Sequence, residues 1–133
     1  MLLKLRAGEK LYINGAVLKV ERKATIELLN DATFLLEAHV IQPDEAKTPL
    51  RQLYFVLQTL LMERESSQET LRMYNDMSAA TREALGGGAL VDGLRGADAL
   101  AASGRIFEAM KSLRGLFPLE ADLLKDKTPA NAA

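Results

Sequence analysis

The chain has no cysteine and no tryptophan, a single histidine, four prolines and only 5% aromatic residues. The lack of cysteine excludes disulfides and thiolate metal sites and fits a reducing compartment. With His39 alone, any metal site would rest on carboxylates, so His39 is read as a surface or structural residue rather than a metal ligand or a base. No Ser/His/Asp spacing, Walker loop or dinucleotide fingerprint is present, and Gly86-Gly87-Gly88 is not followed by the Gly-Lys-Ser/Thr of a phosphate loop. Charge of one sign is missing too. Seventeen Lys and Arg against eighteen Asp and Glu leave a net charge of −1, so no bulk field draws the chain to nucleic acid or membrane. No apolar run approaches the ~20 residues of a membrane span, and Lys4 and Arg6 interrupt the apolar start that a secretion signal would need. These absences predict a cytoplasmic protein that is not an enzyme and carries no cofactor.

What is present is a chain of 133 residues, 48% hydrophobic, enough for one compact domain or a small domain with an appendage. Its apolar residues follow two regimes that meet in residues 42–61. Before this stretch they alternate with period two; after it they recur near 3.6. Leu3 and Leu5, Leu11 and Ile13, Leu18 and Val20, and Ile26 and Leu28 each alternate with polar neighbours, and residues 33–36 make a fifth strand that could extend to Val40 and Ile41. Asn14-Gly15 is the strongest hairpin signal, because a type I′ turn needs φ > 0 twice. Arg22-Lys23 and Asn30-Asp31 mark two further turns. The expectation is a small antiparallel sheet, meander or barrel of about five strands, followed by about four helices, an α+β chain. Its parts would be a β subdomain over 1–42, a helical subdomain over 43–124 and a disordered tail over 125–133.

Pro43 pushes Gln42 toward extended backbone, and Thr48-Pro49 offers a hydroxyl N-cap with Pro at the first helical position. The acidic pair Asp44-Glu45 is explained by the helix N-terminus that follows, where the macrodipole stabilises negative charge. A first helix should run from 48 to about 64, with Leu50, Leu53, Tyr54, Leu57, Leu60 and Leu61 on one face. A helix of this length is marginal alone and must pack on the rest of the chain. Ser66 with Glu69 forms a capping box for a second helix carrying Leu71, Met73 or Tyr74, Met77 and Leu85, which Gly86-Gly87-Gly88 ends. Residues 100–118 look like half of a tetratricopeptide-type repeat; one copy cannot make a solenoid, so they predict a helical hairpin of two short helices.

In residues 1–41 six basic side chains, Lys4, Arg6, Lys10, Lys19, Arg22 and Lys23, face five acidic ones. Taken alone, such charges blunt a sheet edge. The helical residues Leu90, Leu94, Met110 and Leu113 either fill the core or line a groove around Gly86–Gly88 for an amphipathic segment of a partner.

The junction Ile41-Gln42-Pro43-Asp44-Glu45-Ala46-Lys47-Thr48-Pro49 is followed by Arg51 and Tyr54-Phe55. Together with Leu5-Arg6-Ala7-Gly8-Glu9, Ile13-Asn14-Gly15-Ala16, Gly104-Arg105, Glu108-Ala109 and Leu116-Phe117-Pro118, it resembles the FlbT family over residues 1 to about 124. The resemblance implies a post-transcriptional repressor of flagellin synthesis in bacterial flagellum biogenesis. Such a protein associates with the 5′ untranslated leader of flagellin mRNA and promotes its degradation, opposed by a small FlaF-type partner. The pattern Leu3-x-Leu5-Arg6-x-Gly8-Glu9-x-Leu11-x-Ile13 is also similar to the start of the carbon storage regulator family, five-stranded RNA-binding proteins in which two chains interleave. That similarity implies RNA contacts from Lys4 and Arg6 on the first strand and from His39 on the last, with Arg22 and Lys23 at a nearby turn. It also implies a homodimer. The alternative is a protein-interaction module or chaperone that takes a FlaF-type partner or flagellin on its helical half through Leu90, Leu94, Met110 and Leu113.

Overall fold

The structure, a computed structural model, describes residues 1–14, 16–30, 32–62 and 67–127. Five strands come first: β1 (Leu2–Leu5), β2 (Lys10–Ile13), β3 (Ala16–Lys19), β4 (Ala24–Glu27) and β5 (Phe34–Leu36). Four helices follow: α1 (Pro49–Met62), α2 (Ser67–Leu85), α3 (Ala89–Ala102) and α4 (Ile106–Lys127). The chain is α+β, with the strands N-terminal.

The strands form neither a meander nor a closed barrel but two small antiparallel sheets, β1-β4 and β3-β2-β5. The hairpin expected at Asn14-Gly15 is there: Ile13 faces Ala16, and Asn14 has φ 48°, while Gly15 lies outside the described residues. The other two turns behave differently. Gly8, at φ 82°, donates its N–H to the Val20 carbonyl (2.7 Å), and Val20 N–H donates to the Glu9 carbonyl (3.1 Å). This is a β-bulge that needs glycine at its first position. It seats the β1–β2 turn on the end of β3, so β1 does not continue into a ladder with β2 and pairs with β4 instead. Residues 21–23 then cross from one sheet to the other rather than closing a hairpin.

β5 stops at Leu36. Residues 37–39 wind into a 3₁₀ turn, so His39, Val40 and Ile41 are not strand residues. Ile41 is held by a side chain in place of a ladder: its N–H donates to Gln58 Oε1 (2.8 Å) and its carbonyl accepts from Gln58 Nε2 (2.9 Å). Gln58 is buried, and both of its polar ends are satisfied, as burial requires. A second 3₁₀ turn, Pro43–Glu45, follows extended Gln42, and Glu45 Oε1 accepts the Gln42 N–H (2.7 Å).

α1 begins at the predicted signal, with Thr48 Oγ1 accepting the Arg51 N–H (3.2 Å). A second cap comes from α4, where buried Glu120 accepts from the Thr48 hydroxyl (2.5 Å) and from the Leu50 N–H (2.8 Å). Leu50, Leu53, Tyr54 and Leu57 are buried as expected, together with Val56 and Gln58, whereas Leu60 and Leu61 are half-buried. The Ser66 cap and Arg64 lie outside the described residues.

Each helix packs on its sequence neighbours, and α4 returns to α1, closing a four-helix bundle. α2 is fixed to α3 by one polar stripe. Tyr74, Ser78 and Arg82, four residues apart, all converge on Asp98: the Tyr74 hydroxyl at 2.8 Å and the Ser78 hydroxyl at 2.7 Å. Arg82 Nε makes an ion pair with Asp98 at 3.2 Å, off the line of a directed hydrogen bond. Burial and the adjacent carboxylate raise the Tyr74 pKa, keeping its proton on. Gly104, at φ 82°, ends α3: its N–H bonds the Ala101 carbonyl and Arg105 N–H bonds that of Leu100. α4 is not short: it runs 22 residues, through exposed Pro118 to Lys127, past the point where the tail was expected to begin. The sheets dock on the bundle through Tyr12 and Leu35, and through Phe107, whose ring lies 5.2 Å from that of Phe34.

Candidate nucleic-acid interface

The register of the strands gathers the basic residues of the first half at one end of the sheets. Leu5 faces Ala24, so Arg6 and Lys23, the next residue on each side, leave the ladder together. The bulge at Gly8 brings the same turn against Val20, beside Lys19 and Arg22. Lys10 lies directly opposite Lys19. Like charges facing each other across a strand pair are destabilising, and among the described residues none of the sheet bases makes an ion pair. Three acids share this end: Glu9, whose Oε1 accepts the Arg6 N–H (2.8 Å), Glu21, next to Arg22 in the turn, and Glu37, which follows Leu36 opposite Leu11. Lys4, Arg6, Lys10, Lys19, Arg22 and Lys23 are all exposed. Lys4 lies across from Thr25 on the face of β1 opposite buried Leu3 and Leu5.

His39 is placed differently from expectation. It ends the 3₁₀ turn after β5, is half-buried, and its carbonyl accepts a short hydrogen bond from the Tyr54 hydroxyl. The turn packs against β2, whose Leu11 faces Leu36, so His39 enters at the same end of the sheet as Lys10 but against the bundle. Burial, helped by the Arg114 guanidinium, lowers its pKa below the ordinary 6.5. The side chains around it were not predicted as site residues. Arg114 Nη1 donates to the Tyr54 hydroxyl (2.9 Å), Tyr54 meets Phe117 edge-on with ring centres 5.6 Å apart, and the Arg51 guanidinium lies 4.4 Å from the Phe117 ring centre. Burial of Tyr54 pushes its hydroxyl pKa up despite that arginine.

Of the residues expected to line a partner groove, only Leu90 borders one. Leu90 is 2% exposed, and Leu94, Met110 and Leu113 are fully buried; they hold α3 and α4 in the core. Their spacing matches a groove and a core face equally, and the closed bundle decides for the core. An apolar groove lies at the α1 N-terminal end, between Pro49, Met77, Ala80, Leu85, Leu90 and Leu123, beside the Gly86–Gly88 break. Among the described residues no three His, Asp or Glu side chains are placed to hold a metal, and no helix is long and apolar enough to cross a membrane.

Comparison with known proteins gives one answer across the chain. The family model described as "Flagellar protein FlbT" matches residues 1–124. A relative from Chelativorans sp. (strain BNC1) is 46% identical over 120 residues, 90% of this chain and 83% of that protein. One from Allorhizobium ampelinum is 45% identical over 128 residues, 96% and 86% of the two chains. One from Brucella ovis is 48% identical over 126 residues, 92% and 80%. Each of the three is named a probable flagellum biosynthesis repressor protein FlbT. No solved structure matches the chain. With nearly its whole length matched by the family model and by relatives approaching half identity, the chain belongs to the FlbT family of flagellar proteins.

Proposed function

We propose that this protein represses flagellum biosynthesis after transcription, by associating in the cytoplasm with the 5′ untranslated leader of flagellin mRNA and promoting its decay. The names of its relatives support the repressor role. The observation that supports RNA as the target is the basic end of the sheets, where Lys10 faces Lys19, Arg6, Arg22 and Lys23 adjoin them, and among the described residues none of these bases makes an ion pair. An arrangement that costs stability in the free chain is relieved by a polyanion. Phosphates meet these charges while exposed backbone and loops face unstacked bases. Lys4, which the sequence pattern of residues 3–13 adds to the site, extends the same surface along β1. The chain contributes no nuclease chemistry; decay follows from covering a ribosome site or exposing a cleavage site.

Five phosphate contacts on a single strand give a salt slope of about −3.5, a modest grip that a homodimer on two sites of one leader strengthens through effective concentration. The test is a mobility shift with labelled flagellin leader across a salt series. Arg22→Ala with Lys23→Ala should flatten the slope by about 1.4. Lys10→Ala should weaken binding while raising the folding stability by a few tenths of a kcal/mol. No retardation in dilute buffer, with or without a FlaF-type protein, would remove RNA from the reading. A second reading keeps a FlaF-type protein or flagellin as partner, at the groove between Pro49, Met77, Ala80, Leu85 and Leu123, which Leu90 borders, with Leu94, Met110 and Leu113 in the core behind it. Capture of that partner from nuclease-treated lysate, lost on Ala80→Glu, separates it from an RNA tether.

A further inference from the structure

Half-buried arginines with no acidic partner are worth asking about, because burial without a counter-charge needs a compensating reason. Among the described residues Arg51 and Arg114 meet that description. Arg82 and Arg105, by contrast, pair with Asp98 and Glu108, and Arg72 and Arg95 are simply exposed. Arg51 and Arg114 are also held still. Arg51 lies over the Phe117 ring at 4.4 Å, and Arg114 spends one Nη1 hydrogen on the Tyr54 hydroxyl. A guanidinium has five N–H donors, so most of Arg114's and all of Arg51's remain for another acceptor.

The surroundings favour an anion. α1 contains no acidic residue, and between Glu108 and Glu120 α4 contains none either, only Lys111 and Arg114. Glu120 itself turns inward to cap α1. The acids on the linker are Glu37, Asp44 and Glu45; among the described residues none of them pairs with either arginine, and Glu45 accepts the Gln42 N–H. Phe117, half-exposed and gripped by Arg51 on one side, adds an aromatic surface of the kind on which an unpaired base stacks.

We propose that Arg51 and Arg114, set against Phe117 and Tyr54 where α1 meets α4, form a second phosphate-binding site for the single-stranded RNA that the basic sheet end engages. This rests on the function proposed above. His39 lies between the two surfaces: its turn packs on β2 beside Lys10, and its carbonyl is tied to the same Tyr54 hydroxyl that Arg114 bonds. A strand leaving the sheet end therefore passes the 3₁₀ turn and reaches the two guanidiniums.

Two phosphate contacts on a single strand contribute about 1.4 to the salt slope, so affinity for leader RNA should fall about sevenfold less between 50 and 200 mM salt in the Arg51→Gln, Arg114→Gln double variant than in the unaltered protein. Because both arginines touch aromatic core neighbours, the unaltered protein gives a second readout: the Nε–H signals of Arg51 and Arg114 should shift on titration with leader RNA and stay put with polyglutamate. Signals that stay put with RNA, or a double variant whose salt slope is unchanged, overturn the second site. If Arg22→Ala with Lys23→Ala still weakens binding in that case, the proposed function stands without it. Signals that move with polyglutamate and not with RNA overturn it in favour of an acidic protein. Absence of any RNA binding by the unaltered protein overturns both.

Discussion

Glu120 is the side chain whose removal should disturb the fold most for its size. It is 4% exposed and accepts two hydrogen bonds at the start of α1, from the Thr48 hydroxyl and the Leu50 N–H. Glu120→Ala leaves the buried Leu50 N–H without a partner, at about 1–3 kcal/mol, and removes a negative charge from the positive end of α1's dipole, at about 0.3–1 kcal/mol. Partial relief comes from Thr48, which still caps Arg51. The expected loss is about 3 kcal/mol, or on the order of 10 °C in Tm for a chain of this size. Glu120→Gln keeps an oxygen for Leu50 and a group within reach of Thr48 but gives up the charge, so it should lose about 1 kcal/mol. The assay is urea unfolding followed by circular dichroism, with the denaturant slope checked to be unchanged so that the midpoint reports stability. Thr48→Ala in both backgrounds completes a double-mutant cycle, and a coupling energy above about 0.5 kcal/mol is expected for residues in contact. An alanine variant within 0.5 kcal/mol of the unaltered protein, or no coupling to Thr48, would show that α1 does not depend on a cap borrowed from α4.

Asp98→Ala should destabilise by about 3–5 kcal/mol, since it strands the Tyr74 and Ser78 hydroxyls and an Arg82 nitrogen together, and the same unfolding assay checks it. Gly96→Ala should stabilise by about 1 kcal/mol, because a Cβ there meets nothing within 4 Å and the helix gains propensity. Gly93→Ala should be less stable than Gly96→Ala by about 1–3 kcal/mol, because its Cβ would fall 2.5 Å from a Leu116 methyl; thermal melts of the pair decide it. His39 has a folded-state pKa below 6.5, so between that value and 6.5 the unfolded chain binds more protons. Its contribution is present above pH 6.5 and is lost as pH falls through the folded value; His39→Gln should flatten this part of a stability-versus-pH curve.

The sequence carried the fold wherever a signal was local. Asn14-Gly15 fixed a two-residue hairpin, Thr48-Pro49 fixed the start of α1, and three glycines separated α2 from α3. The hairpin also held an unread consequence: pairing Ile13 with Ala16 sets Lys10 against Lys19 three residues on, so the most strained part of the basic surface followed from the turn alone. What failed was non-local. Strand partners depend on which turn captures which strand end, and Gly8 at a bulge looks in sequence like Gly8 at a hairpin. A fifth strand extended to Val40 and Ile41, as the resemblance to carbon storage regulators implies, would make His39 a strand residue, and nothing local in the sequence marks the 3₁₀ turn that replaces it. The replacement of a ladder partner at Ile41 by the Gln58 amide has no sequence signal that a polar residue on an apolar helix face does not share. Arg51 and Arg114 lie 63 positions apart, and only the antiparallel return of α4 onto α1 makes them neighbours of one aromatic pair.

The short linker between sheet and bundle shapes both surfaces. It is held at three successive places by side chains from α1 and α4: the His39 carbonyl by Tyr54, both main-chain polar groups of Ile41 by Gln58, and the Thr48 side-chain hydroxyl by Glu120. A linker tied at that density cannot swing as a hinge, so the sheet end and the α1–α4 face keep a fixed relation. Fixed geometry matters most for a surface of few charges. Binding costs about 0.5–1.5 kcal/mol for each side chain that must be immobilised, and Arg51 and Arg114 are already held on aromatic rings. For a chain of net charge −1, weak general attraction is thereby offset by placement. Gln58→Leu tests this directly: it keeps the volume, frees Ile41, and should weaken leader binding with every basic residue in place. Binding unchanged by loosening the linker would mean that the two basic surfaces do not act as one.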